Sequence, residues 1–314
     1  MYYIGIDLGG TNINAGLVDK EGKLLGEASV PTPQGAGAVA EAIVTAAQKA
    51  AENGGIALNE VESVGLAVPG TFDPKTGLVY RAVNLGLENV PLGSMVSQRL
   101  NLPVVLENDA NAAALGEFVA GAGRGYNSLV AVTLGTGVGA GAILDGKLYV
   151  GFNYAALEAG HMVIRRGGRQ CNCGRKGCWE TYASATGLIA STKEAMARHP
   201  ESALWEYAPS FDKVTGKTPF DAAQAGDMIA QNVVNEYVED LACGLINLIN
   251  LFQPEIITVS GGVSKQGEAL LVPVRAVLDR EEMTRSTANR TRVQVAQLGS
   301  EAGTIGAALV SLYR

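Results

Sequence analysis

The chain is 314 residues long, carries a formal net charge of −7, and is 47% hydrophobic and 18% charged. Those values describe an ordered globular protein with room for two lobes of ordinary size. The acidic balance and the lack of a basic run argue against a nucleic-acid partner; no apolar run reaches membrane-spanning length, because Asn247 and Asn250 interrupt the most apolar helix candidate.

The N-terminal residues Met1 to Asp7 enter a strand at once, leaving no room for a targeting segment or a DNA-binding helix pair, so a cytoplasmic location is expected. Residues 3–19 (YIGIDLGGTNINAGLVD) read as strand, glycine turn and returning strand, and residues 129–145 (LVAVTLGTGVGAGAILD) repeat the pattern. Few residues are literally identical between the copies; the match lies in the turns, Gly9-Gly10-Thr11 against Gly135-Thr136-Gly137. Each exposes backbone N–H groups that could grip a polyphosphate, and each is equally compatible with an ordinary hairpin turn. Asp7, at a strand end before the first turn, suits a carboxylate holding magnesium, or a turn-stabilising aspartate.

Residues 36–52 are alanine-rich with helical apolar spacing and are closed by Gly54-Gly55. Residues 61–68 form a buried-strand run ending at Pro69-Gly70, and 103–107 read as a strand followed by a helix over 110–120. At that junction lies Glu107-Asn108-Asp109-Ala110-Asn111. Asp109 can accept a proton and Asn108 can bond a polyol, near the carboxyl end of a strand where open α/β sheets bind ligands. A helix cap explains the same residues. Further on, 181–198 and 222–252 read as helices, and 199–221, with Pro200, Pro209 and Pro219, as irregular. A strand over 255–260 leads into Gly261-Gly262, whose amides could face a nucleotide; helix 266–280, strand 293–297 and helix 301–312 follow. Alternating strands and helices give an α/β fold, sheets covered by helices.

Three of the four cysteines and one of the two histidines fall within eighteen residues: His161, Cys171, Cys173 and Cys178. Thiolate and imidazole ligands are the usual shell of structural zinc. Gly174 and Gly177 allow the tight turns such a knuckle needs. A closed Cys₃His shell leaves no coordination position for substrate, so the metal would hold a loop. A disulfide or free thiols remain alternatives, although Cys171 and Cys173 are too close to bridge each other easily.

Together these strings resemble the ROK family (repressors, open reading frames and sugar kinases), and within it the bacterial ATP-dependent glucokinase group. The resemblance runs nearly end to end, through Asp7-Leu-Gly-Gly-Thr11, Pro69-Gly70, Asn84-Leu85, Glu107 to Asn111, Leu134 to Gly139, Glu158-x-x-His161 and Cys171-x-Cys173-x₄-Cys178-x-Glu180. It implies the two-lobed actin-like ATPase and sugar-kinase fold, ribonuclease H-like with duplicated sheet cores, closing over a sugar and ATP. Residues 1–109, completed by helix 301–314, would form the small lobe, and 110–300, with the zinc loop 158–180, the larger one. Asp109 matches the general base that takes the proton of the sugar's 6-hydroxyl. Gly70, Asn84, Asn108, Glu158, His161 and Glu180 match sugar contacts. Asp7 with Gly9, Gly10, Thr11 and Asn12, and Gly135, Thr136 and Gly137, match phosphate loops, and Gly261 and Gly262 match the adenosine region. His161 would place one ring nitrogen on zinc and turn its other side to the sugar. Asn12 stands where many relatives carry lysine, so magnesium and backbone amides would carry more of the phosphate charge. The resemblance thus implies a kinase using ATP, Mg²⁺ and structural Zn²⁺ on glucose, as a homodimer or homotetramer. N-acetylmannosamine, N-acetylglucosamine or fructose are alternative substrates, and a sugar-sensing regulator is the rival class.

Overall fold

A computed structural model describes all 314 residues. The chain divides into two compact units, one of Met1–Ala131, Gly141–Leu157 and Ala296–Arg314, the other of Val132–Ala140 and Glu158–Val295. The expected boundary after residue 109 does not coincide with this division.

The first unit opens with β1 (Tyr2–Leu8), β2 (Asn12–Asp19), β3 (Leu24–Pro31), α1 (Ala36–Asn53) and β4 (Val61–Val68). A small three-stranded sheet follows, β5 (Thr71–Asp73), β6 (Leu78–Ala82) and β7 (Leu87–Val90), then α2 (Leu92–Leu100), β8 (Val104–Asn108) and α3 (Asp109–Val119). The main sheet has the order β3-β2-β1-β4-β8, with β1 and β2 antiparallel and β1, β4 and β8 parallel. Ile4, Ile6, Leu66 and Leu106 are buried in the same core as Val39, Ile43 and Ala47 of α1.

Then come β9 (Leu129–Leu134), β10 (Val138–Leu144) and β11 (Lys147–Tyr149). The helices α4 (Glu180–Ala183), α5 (Ala185–Arg198), α6 (Leu204–Tyr207), α7 (Thr218–Gln224) and α8 (Met228–Phe252) follow, and the chain finishes with β12 (Ile256–Ser260), α9 (Glu268–Glu281), β13 (Arg292–Val295) and α10 (Glu301–Tyr313). The second sheet, β11-β10-β9-β12-β13, repeats the order of the first: third, second, first, fourth, fifth strand. The internal repeat seen in the glycine turns therefore extends to whole-sheet topology.

Helix α10 covers the first sheet because glycines clear a path for it. Gly16, Gly5 and Gly65 lie side by side across β2, β1 and β4. A Cβ at Gly5 would stand 1.8 Å from the Thr304 carbonyl, and one at Gly65 1.7 Å from that of Ala307. Helix α3 closes on α10 in the same way, Gly306 meeting the Ala112 carbonyl. That packing is why residues beyond 109 belong with the N-terminal sheet. Buried Glu117 fixes the approach to α10, accepting N–H bonds from Ala122, Gln297 and Leu298 at 2.7–3.0 Å. Those bonds also end β13 at Val295 instead of the expected 297.

The expected helix 222–252 is two helices, parted at Gly226 (φ 96°) where Asp227 caps α8. Its first helix reaches back to Thr218, into the stretch read as irregular. The expected helix 181–198 is broken where Ser184 caps α5. No helix is long and apolar enough to cross a membrane.

Candidate active site and metal cluster

The strand register places three sequence-predicted features at one edge of the first sheet. Asp7 pairs with Ala67, which pairs with Glu107, so Asp7, Pro69-Gly70 and Asn108-Asp109 all leave the carboxyl ends of parallel strands. That edge is where open α/β sheets bind ligands. Asn108 does cap α3, its Oδ1 accepting from Ala110 N at 2.9 Å and Asn111 N at 3.2 Å. The cap fixes the turn from which Asp109 projects. Asp109 keeps a face open to solvent. Burial against surrounding protein pushes its carboxyl above the usual range, opposed by N–H bonds and the neighbouring Asn108 side chain. Asp7 is raised too, by burial first and by the negative field of Asp109 second.

Gly70 and Asn84 line a cavity of about 280 Å³ with Pro69, Thr71, Arg81 and Val83. Gly70 has φ 114°, and a Cβ there would lie 2.2 Å from the Arg81 carbonyl, so only glycine closes this wall. The first glycine turn borders it: a Cβ on Gly10 would sit 3.7 Å from Asn84 Cβ. Gly9 N–H bonds the Asn12 carbonyl at 3.0 Å, while Thr32 donates its hydroxyl to the Gly9 carbonyl at 2.7 Å and its N–H to that of Thr11 at 2.9 Å. Gly10, Thr11 and Asn12 are exposed.

In the second unit, Gly135 N–H bonds the Gly137 carbonyl at 3.0 Å, closing the other turn, with Thr136 exposed at its tip. Glu180 holds this turn, its Oε2 accepting Val138 N–H at 3.0 Å, and a Cβ on Gly137 would stand 2.2 Å from that oxygen. Glu180 was expected only as a sugar contact, so sequence reasoning missed its hold on the phosphate-type turn. Gly261 (φ 91°) presses on the Leu134 carbonyl, which a Cβ would approach to 2.4 Å, while Gly262 faces open space.

His161, Cys171, Cys173 and Cys178 come together, all four ligand atoms lying within 4.8 Å of one another. Cys171 Sγ is 3.7 Å from His161 Nδ1, and Cys173 Sγ is 3.6 Å from Cys178 Sγ. A tetrahedral zinc shell with Zn–S near 2.3 Å spaces its sulfurs about 3.8 Å apart, whereas a disulfide needs about 2.05 Å. All four cysteines are free thiols, so the disulfide alternative falls and the donor set fits the metal. Burial and the neighbouring Cys173 and Cys171 thiols push Cys178 up to about 12. A hydrogen bond from the Arg175 backbone leads the causes that lower Cys173. A divalent cation would supply the counter-charge that crowded thiolates need.

The cluster is anchored from behind. Trp179 is fully buried, donates its indole N–H to the Asp240 carbonyl at 2.9 Å, and fits a notch at Gly244 that any Cβ would fill. Arg165 forks onto the Asp240 carboxylate at 2.8 Å. On the exposed side, His161 Nε2 lies 3.9 Å from Glu158 Oε2, so the ring directs one nitrogen at the sulfurs and the other at Glu158.

Two like-ordered sheets, each opened by a hairpin with a glycine turn, define the actin-like ATPase class of α/β proteins. The ROK family model matches residues 3–313. A glucokinase of Halalkalibacterium halodurans is 38% identical over 311 residues, covering 97% of this chain and 93% of that protein. The crystal structure of a ROK family glucokinase from Streptomyces griseus with glucose and AMPPNP is 40% identical, with TM-score 0.78 over 100% of this chain and 99% of that one. The ROK hexokinase of Thermus thermophilus is 34% identical, with TM-score 0.81 over 99% of this chain and 97% of that one. The chain belongs to the ROK family.

Proposed function

We propose that the protein is an ATP-dependent glucokinase, transferring the γ-phosphoryl group of ATP to the 6-hydroxyl of glucose. The observation that carries this reading is Asp109: a carboxylate at the head of a helix, at the ligand-binding edge of the first sheet, held above its usual pKa by burial. Identity of 38% and 40% to glucokinases, over 97% and 100% of the chain, supports it.

Asp109 orients the primary alcohol and takes its proton as the oxygen bonds phosphorus and ADP leaves. Gly70, Asn84, Asn108, Glu158, His161 and Glu180 bond the remaining hydroxyls. The amides of Gly9 to Asn12 and of Gly135 to Gly137 hold phosphates, and Gly261-Gly262 borders the adenosine. Asp7 would hold Mg²⁺, which would supply the phosphate charge neutralisation that Asn12, lacking a charge, cannot. His161, Cys171, Cys173 and Cys178 would hold a structural zinc, and the loop so fixed would keep Glu158 and Glu180 in place. Cytoplasmic work at the start of glycolysis, as a homodimer or homotetramer, completes the proposal.

ADP release measured across a panel of hexoses tests it. Glucose should give the highest kcat/KM; ADP release independent of added sugar overturns the reading.

A further inference from the structure

We infer that Arg314 is a positioning residue for phosphoryl transfer, acting through Glu107 on the Asn108–Asp109 corner; this rests on Asp109 being the base. Glu107 is a carboxylate with 1% of its surface exposed, immediately before that corner. Its Oε1 accepts the N–H of Asn108 at 2.9 Å and the side-chain amide of Asn111 at 3.0 Å. Its Oε2 accepts from Arg314 Nε at 3.2 Å and Nη2 at 2.9 Å. The same Nη2 donates to the Leu106 carbonyl, and the guanidinium lies 5.8 Å from the centroid of the Tyr154 ring. Asn111, fully buried, also reaches the Ala156 carbonyl at 3.4 Å.

A buried carboxylate is tolerated when it is paired and its lone pairs are filled. The donors to Glu107 come from the corner itself and from Arg314. Two N–H donors of one planar guanidinium converge on Oε2 and fix that oxygen, while the corner's donors fix Oε1; a single ammonium in place of the guanidinium would not reproduce both bonds. Removing Arg314 leaves the carboxylate buried with half its partners, and it must turn toward water or toward new donors. Either motion drags the Asn108 N–H and the Asn111 amide, the two groups flanking Asp109. A base displaced by about 1 Å from its reacting proton can cost 10²-fold in rate.

The test compares Arg314→Met, Arg314→Lys, Glu107→Gln, the Glu107→Gln/Arg314→Met double variant and Asp109→Asn. Steady-state kinetics with glucose and ATP are measured below each variant's melting temperature. Arg314→Met should lower kcat about tenfold to 10²-fold with KM for ATP unchanged, and Arg314→Lys should recover only part. The double variant should be no slower than Arg314→Met, because both changes act through one contact. Hydrogen exchange at the Asn108 amide should quicken in Arg314→Met. Should Arg314→Met fail to fold, Arg314→Lys decides: its kcat should fall several-fold. Wild-type kcat in either folded variant, or single losses that multiply in the double variant, overturns the inference. A fully active Asp109→Asn would instead overturn the assignment of the base; an inactive Asp109→Asn beside a normal Arg314→Met defeats only the positioning role.

Discussion

The two glycine turns share a sequence pattern and a place in their sheets, yet they are fastened differently. The Gly9–Thr11 turn is tied by neutral groups of its own sheet, a backbone N–H and the Thr32 hydroxyl and amide. The Gly135–Gly137 turn is tied by the carboxylate of Glu180, two residues beyond the metal-cluster cysteine Cys178. One turn is therefore self-contained, and the other depends on the segment that carries the Cys178 thiol of the His–Cys cluster. Two hairpins of like order are thus fastened by different chemistry, the second by a carboxylate from the cysteine-bearing segment.

The largest effect tests neither turn and sets the scale for both. Asp109→Asn should lower kcat about 10²–10⁴-fold while glucose affinity stays within a few-fold, checked by calorimetry beside turnover. Metal removal comes next. Cys178→Ser, or chelation verified by metal analysis, should raise KM for glucose at least tenfold and lower the melting temperature. An unchanged KM in a metal-free sample breaks the claimed dependence. Gly137→Ala drives a Cβ into Glu180 and breaks a charge-assisted bond worth about 1.5–3 kcal/mol, so KM for ATP should rise about ten- to 10²-fold. Thr32→Val removes one neutral hydroxyl bond from the first turn and should cost only about 0.5–1.5 kcal/mol in denaturant unfolding. If Thr32→Val damages ATP use more than Gly137→Ala, the contrast between the turns is reversed.

The pH profile sharpens the role of the base. Asp109 must be ionised to accept a proton, and burial raises its pKa, so acid protonates it earlier than an ordinary aspartate. Activity should be present above that raised value and lost as pH falls through it. The acid limb of kcat/KM for glucose should thus lie above about 3.9, and a limb at or below that value contradicts the assignment.

Much of this was legible in the sequence because the signals are local. The strand at 61–68, the hairpin turns, the Asp109 corner and the metal spacing each occupy a few contiguous residues whose chemistry dictates their shape. What stayed hidden depends on distance along the chain. Glu180 reaches Val138 across 42 residues and Arg314 reaches Glu107 across 207, and no pattern near any of them announces the partner. The small sheet β5-β6-β7 was missed because its strands are only 3–5 residues long, too short for a periodic signal. Helices 181–198 and 222–252 ran too long because Ser184 and Asp227 act as caps inside otherwise helical composition.

The central claim is transfer to the terminal hydroxyl of glucose, and phosphorus–proton correlation NMR of the product reads it directly. With purified protein, ATP, Mg²⁺ and glucose, the new phosphate ester should couple to the two protons on carbon 6. Coupling to the anomeric proton instead, or inorganic phosphate as the sole new phosphorus signal besides ADP, would contradict the account.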